Sequence, residues 1–329
     1  MRNPFYDVLR GVAIMRVVAY HATGWAPLSY LFPSMGAMFA LGGTLMAEAV
    51  DRYGVRSVTR RFRRTLPPVW LIAVIAVPYM LWAGMRPDWD LVWWVVPLHD
   101  PPLYGFTAST LSLIWYLRQY LWFVLVSPLA LPLFRRWPRL MLGAPFALMA
   151  AFQLGLPDIV PLKDFALYFA CWMLGFAHHD GAFDRMPRRV TLPIGIGRGG
   201  LAAAWLFTHP SANGYDLNGA DVAQCLWSAG FVVLIFSYAP HSMAWLSRRR
   251  ALSTVVRAVN ERAVTIYLWH QTVIVGLGTL LAVTGISLSS RLDSAPWLLA
   301  VYLGVGLCAL AVGWVEDLAA RRRPVLLPT

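Results

Sequence analysis

Hydrophobic residues run along this chain in stretches of about 17–25, set apart by short polar connections, and not in the strict alternation of a half-buried strand. Ten stretches are legible: 8–30, 33–50, 65–85, 113–134, 139–156, 163–179, 190–208, 222–240, 264–284 and 296–315. At 1.5 Å per residue each approaches or exceeds the hydrocarbon thickness of a bilayer, although 33–50, 139–156 and 190–208 are short or interrupted by Gly and Pro. The pattern predicts an all-α polytopic membrane protein of about ten transmembrane helices. No internal repeat or shift in composition marks a second domain, so residues 1–329 are expected to form a single integral-membrane domain.

Composition narrows this further. Hydrophobic residues make up 58% and charged residues 13%, with mean hydropathy +0.56; a soluble domain carries roughly 25% charge, so a soluble core is excluded. The net charge of +12 is almost wholly arginine, Lys163 being the only lysine. With a cytoplasmic N-terminus, the arginines of 52–64, 135–139, 185–189, 248–262 and 321–323 all fall inside, whereas Arg86, Lys163 and Arg291 fall outside. Such an asymmetry follows the positive-inside rule and places both termini in the cytoplasm, which requires an even number of spans. The basic excess therefore reports topology and contact with anionic lipid, not nucleic acid. Cys171, Cys225 and Cys308 lie within predicted spans and form no spaced pair, which argues against a disulfide framework or a zinc site. Asp7, Arg10 and Arg16 interrupt the first stretch, so it does not read as a cleaved leader.

Two outer connections are acidic and poor in basic residues. The first, 86–112, holds Asp88, Asp90, His99 and Asp100 around an apolar middle too short to span. The second, 209–221, holds Asn213, Asp216, Asn218 and Asp221. On the inner side, Trp245 to Arg262 reads as a basic amphipathic helix lying along the headgroups.

The first stretch also carries Arg10 and His21. An ionisable group costs about 2.5–3.5 kcal/mol or more at a bilayer centre, so each is a functional candidate by default. Eleven residues at 100° come to about 20° past three full turns, which puts both on one helix face, about 16 Å apart along the axis. Arg16 points roughly 120° away from Arg10.

The sequence Asp7-Val-Leu-Arg10-Gly11, followed by Tyr20-His21, resembles the first-span pattern of the membrane-bound acyltransferase family 3. Four further segments resemble that family in the same order: Met38 to Gly43, Arg60 to Pro67, Leu113-Ile-Trp115-Tyr-Leu117, and Ile266-Tyr267-Leu-Trp-His270. Two departures stand out. Gly42 replaces the serine of the second-span motif, and Arg118-Gln119 stands where an acidic residue often follows the aromatic motif. The chain resembles the stand-alone form, with no extracellular hydrolase-like domain. The resemblance implies transfer of an acyl group, acetyl being the expected one, from cytoplasmic acyl-CoA to a hydroxyl of a glycan, lipid-linked sugar or secondary metabolite. It places the protein in a bacterial cytoplasmic membrane.

That chemistry needs a base for the hydroxyl proton, donors or positive charge for the developing oxyanion, and a dock for the CoA phosphates. His21 suits the base, since imidazole titrates near neutrality and burial favours its neutral form. Arg10, nearer the inner face, suits a phosphate or the pantetheine arm; the alternative is a snorkelling residue or an ion pair with Asp7 or Glu48. Arg60, Arg61, Arg63 and Arg64 either gather the nucleotide end of CoA or serve only as topogenic charge, with Arg60 and Arg64 sharing a face. Arg118 is a further donor-side cation, with Glu48 as its expected partner. Tyr267 and His270 share a face; His270 either relays a proton, binds the acceptor, or is a satisfied core histidine. No metal is called for.

Three signals are set aside. The literal dinucleotide fingerprint Gly195 to Gly200 has no preceding strand and reads as helix packing. His178-His179-Asp180 lacks ligand spacing and reads as solvated interface residues. His99 with Asp100 is a weak dyad. The rival reading is a transporter with Arg10, His21, Arg118 and His270 as counter-ions or a proton relay, disfavoured by the absence of inverted-repeat symmetry.

Overall fold

The computed structural model describes residues 4–212, 214–240, 243, 248–285 and 294–326. It is helical, with one isolated β-bridge, Ser211 to Gly214, and no strand among the described residues. The helices are α1 (Pro4–Thr23), α2 (Pro27–Leu31), α3 (Ser34–Tyr53), α4 (Arg56–Trp82), α5 (Phe106–Thr110), α6 (Trp115–Arg136), α7 (Pro138–Gln153), α8 (Val160–His179), α9 (Ala182–Arg185), α10 (Arg188–Thr208), α11 (Asp221–Ser237), α12 (Arg250–Glu261), α13 (Ala263–Val283), α14 (Ser294–Val312) and α15 (Trp314–Ala319). The ten apolar stretches are mostly helical, with 8–30 divided between α1 and α2 and 296–315 between α14 and α15.

Among the described residues, seven candidate spans are long and apolar enough to cross a bilayer: Pro27–Tyr53, Arg56–Trp82, Ser112–Arg136, Val160–His179, Arg188–Thr208, Ala263–Val283 and Ser294–Val312. The other three expected spans are helical too. Asp7, Arg10 and Arg16 lower the hydropathy of α1, while α7 and α11 have 16 and 17 residues. Exposure supports a lipid environment: on α14, Leu299, Leu303 and Leu307 form an i, i+4, i+8 stripe that is 61%, 60% and 67% exposed. Such a stripe is stable against acyl chains and costly against water.

The chain divides into two compact units. The first comprises residues 1–13, 25–58 and 122–244, the second 14–24, 59–121 and 245–329, so α1, α4 and α6 each contribute to both.

In the first unit α3 and α8 pack at backbone distance. A Cβ at Gly43 would lie 2.0 Å from the Trp172 carbonyl oxygen, and one at Gly175 would lie 2.1 Å from that of Ala40. Thr44 Oγ1 donates to the Gly175 carbonyl at 3.1 Å, tying the two helices together. Close approach of this kind is how small residues stabilise membrane helix pairs, where lipid offers no hydrophobic driving force. Gly195 and Gly230 do the same for α10 and α11, since a Cβ on either would meet the carbonyl of the other at 3.2 or 2.8 Å. Gly195 thus has the packing role expected of the Gly-rich run, while Gly197 and Gly200 face open space. Gly42 lies against the Trp172 ring, where a Cβ would come within 2.6 Å. A serine at this point has no room, which explains the departure from the family pattern.

In the second unit, the connection after α4 forms a short 3-10 helix, Trp89–Trp94, as expected of an apolar segment too short to span. Trp70 Nε1 donates to the Val95 carbonyl at 2.8 Å and Trp94 Nε1 to that of Pro102 at 3.2 Å, fixing the connection to its helix. Further along, α12 starts at Arg250; residues 245–247 of the expected amphipathic helix lie outside the described residues. Leu252, Val255, Val256 and Val259 lie on the face opposite Arg250 and Arg257, with Leu252 and Val255 exposed, as an interfacial helix requires. The start of α13 is held by α15: Glu316 Oε1 accepts from the Thr265 N–H at 2.7 Å, and Arg262 donates to Asp317 at 2.7 Å and to the Val325 carbonyl at 2.6 Å.

Candidate active site

Because α1 is one continuous helix, the spacing of Arg10 and His21 holds: about 16 Å of rise separates them. Arg10 is half-buried in the first half of α1, between the buried Leu9 and Ala13. His21 is half-buried in the last turn.

There His21 meets His270. Their ring centroids are 5.3 Å apart, with the planes tilted by 46°. Tyr20 stands edge-on to His21 at 5.3 Å, and the Arg16 guanidinium lies 5.0 Å over the Tyr20 ring. This cation–π contact gives Arg16 a local partner one turn away, on the side of α1 where the spacing puts it.

His270 is fully buried, and its Nδ1 donates to the Tyr267 carbonyl at 2.6 Å. A carbonyl can only accept, so the Nδ1 position carries the proton and the lone pair of the neutral ring sits on Nε2. Nε2 is buried without a hydrogen-bond partner among the described residues. The Tyr267 ring lies 4.9 Å from Tyr116 and 5.7 Å from His270, and its hydroxyl donates to the Leu113 carbonyl. The Tyr267 proton is thereby committed to the backbone at the start of α6. The motif pair of the C-terminal region is thus brought onto the histidine of the first helix.

Beside this cluster opens a cleft walled by Val69 and Ile72 of α4, Leu111 and Ile114 before α6, and Leu268 of α13. Thr110, Tyr267 and Gln271 supply its polar side chains. Thr110 Oγ1 donates to the Phe106 carbonyl at 3.0 Å, whereas Gln271 Oε1 is buried with no hydrogen-bond partner among the described residues.

The remaining sequence candidates lie elsewhere. Arg118 is 4% exposed and pairs with Asp100 of the connection before it. The partner expected from sequence, Glu48, is exposed on α3; a contact between a helix and the loop that precedes it leaves no periodic trace. His99 Nδ1 donates to the backbone carbonyl of Asp100 at 3.2 Å and its ring lies 5.6 Å from Trp93, so the two side chains form no dyad. Arg60, Arg61, Arg63 and Arg64 occupy the first turns of α4, with Arg60, Arg63 and Arg64 exposed and Arg61 half-buried. Arg198, a further arginine within a candidate span, lies 4.1 Å over the Phe146 ring.

His178 departs from the sequence reading. It is not solvated but stacks on Phe236 at 4.1 Å and bonds the Tyr6 hydroxyl at 2.9 Å, because the helix end on which it lies is covered by α9 and α11. His179, Asp180 and Asp51 place their ligand atoms within 4.8 Å of one another. Arg135 already forks onto both carboxylates of that group at 2.6–2.9 Å.

Sequence reasoning missed Gln271, the pairing of Asp100 with Arg118, and the Arg262–Asp317 pair. Gln271 carried a signal in its position, next to His270 and one turn after Tyr267.

No curated protein and no solved structure matches the chain. A family model described as an acyltransferase domain matches residues 3–315, nearly the whole sequence, and the chain belongs to the acyltransferase 3 family.

Proposed function

We propose that the protein is an acyl-CoA-dependent O-acyltransferase that moves an acyl group, acetyl above all, from cytoplasmic acyl-CoA to a hydroxyl of a glycan, lipid-linked sugar or secondary metabolite at the outer side of a bacterial cytoplasmic membrane. The whole chain acts as one acyltransferase domain on about ten spans with both termini inside. Family membership supports the acyl transfer, and the observation that carries the site is the His21–His270 pair, 5.3 Å apart, in which a backbone carbonyl holds Nδ1 of one ring.

In this reading His21 takes the proton of the acceptor hydroxyl as its oxygen adds to the thioester carbonyl. The C–S bond then breaks, the acyl group remains on the acceptor oxygen, and His21 returns the proton to the departing thiolate. His270, buried and held by Tyr267, orients His21 and passes the proton. Tyr267 positions His270. Arg10 takes a phosphate or the pantetheine arm, and Arg60, Arg61, Arg63 and Arg64 gather the nucleotide end. Arg118 is the remaining donor-side cation, its charge balanced by Asp100.

Replacing His21 by Ala should lower turnover by about 10²- to 10⁴-fold, the usual worth of a general base, with acyl-CoA affinity nearly unchanged. The check is a donor-binding titration and a turnover assay on the same reconstituted protein. Normal turnover in a well-inserted variant removes His21 from the mechanism. Flux of a substrate across sealed vesicles without acyl-CoA would point to a transporter.

A further inference from the structure

None of the segments that resemble the family lies on α14, yet two of its side chains reach the helix that carries His21. Trp297 Nε1 donates to the Ala22 carbonyl at 2.8 Å, and the Tyr302 hydroxyl donates to the Met15 carbonyl at 2.9 Å. Both side chains are half-buried, and Tyr302 stands near the middle of its span, too deep for an interfacial anchor. A donor among acyl chains must find its acceptor within the protein, and both find it on α1.

The two accepting carbonyls do different things. Ala22 lies in the last turn of α1, where carbonyls have no partner further along the helix and the end frays by default. The helix stops there because Gly24 takes a left-handed conformation, φ +62°, and its N–H closes on the Tyr20 carbonyl at 2.7 Å. Trp297 takes up the carbonyl that directly follows His21 in the chain. Met15 lies seven residues earlier, about 10 Å down the axis and about 20° round, so the two bonds grip one strip of α1. One bond alone would leave α1 free to turn about it; two fix its rotation and its height. His21, about 100° from Ala22, then faces a neighbouring side, where His270 stands with its ring centroid 5.3 Å away.

The same helix meets α13 without clearance. A Cβ at Gly304 would lie 2.7 Å from Val273 Cγ1, and Val273 is three residues beyond His270. One neighbour thus holds both helices that bear the histidines. We propose that α14 is the bracket that spaces the histidine pair, and that Trp297 and Tyr302 are positioning residues for His21. The assignment rests on the role given to His21 above and adds the residues that hold it in place.

The test follows labelled acetyl from acetyl-CoA into an envelope extract of cells that lack the protein, with the full chain in nanodiscs. Trp297→Phe keeps an aromatic ring and removes the N–H; Tyr302→Phe removes one oxygen. Each should lower kcat about tenfold or more with KM for acetyl-CoA unchanged, because a displacement of about 1 Å at the reacting groups costs up to about 10²-fold. In a His21→Ala background neither substitution should lower the residual rate further, since residues that act through one group are not additive. A comparable loss in that background, or parental kcat in both single variants, overturns the assignment and leaves the acyltransferase reading in place. If Trp297→Phe fails to insert, Tyr302→Phe decides between the same outcomes alone. Full turnover in His21→Ala overturns the role of His21 and the assignment together.

Discussion

At the scale of single residues, Gly42 shows how a local departure from a family pattern is fixed by a neighbour. Trp172 is fully buried, and its Nε1 donates to Ser127 Oγ at 3.0 Å, which in turn donates to the Phe123 carbonyl at 2.5 Å. The indole cannot swing aside without breaking that chain. Gly42→Ser should therefore destabilise the protein by about 1–3 kcal/mol, the range of an overpacked core, despite restoring the family residue. Gly43→Ala should be worse, because the obstacle there is a backbone carbonyl. Thermal melts in one detergent would rank the two; a Gly42→Ser melt equal to that of the parent would mean that Trp172 is not held. His21 and His270 are the complementary case. Their motif positions were legible in the sequence, but their meeting was not, because it depends on how two helices far apart in sequence cross.

Among the elements, hydropathy alone located the helices, since a 20-residue apolar run has few other options in a bilayer. What it could not give were the contacts that lock helix ends. Arg118 with Asp100, Glu316 at the start of α13, and Arg262 with Asp317 all depend on tertiary approach. The last pair sits outside the spans and is 3% and 1% exposed. Burial by itself would push the Asp317 carboxyl up, but the bonds from Arg262 and the Val325 N–H, with the charges of Arg262 and Arg322, more than offset it and hold the group below the ordinary carboxylate range. A depressed carboxylate adds stability above its unfolded value and loses it as the pH falls through its lowered one. Asp317→Asn, which strands a buried guanidinium, should cost about 3–5 kcal/mol at neutral pH. The gap between variant and parent should shrink as the pH falls below about 4. Melts of both proteins across that range would check it, and a gap independent of pH would show that the pair is not ionic in the folded state.

For the whole molecule, the proposed reading takes its orientation from the distribution of arginine. On the proposed reading the CoA head, too polar to cross, docks on the side that carries Arg60 to Arg64, and the acceptor comes from the other. Family, helical class and first-helix motif were all readable in advance. The meeting of Tyr267 with the backbone at Leu113 was not, because it depends on tertiary approach. Acceptor choice is expected to follow the outer connections, and donor use to follow residues 52–64.

The most direct test of the account is mass spectrometry of envelope glycans and hydroxylated metabolites from cells that lack the protein, carry it, or carry His21→Ala at equal membrane abundance. The account predicts acyl esters that appear only with the unsubstituted protein, with label traceable to the acyl group of cytoplasmic acyl-CoA. The same esters at the same level in the His21→Ala cells would contradict it.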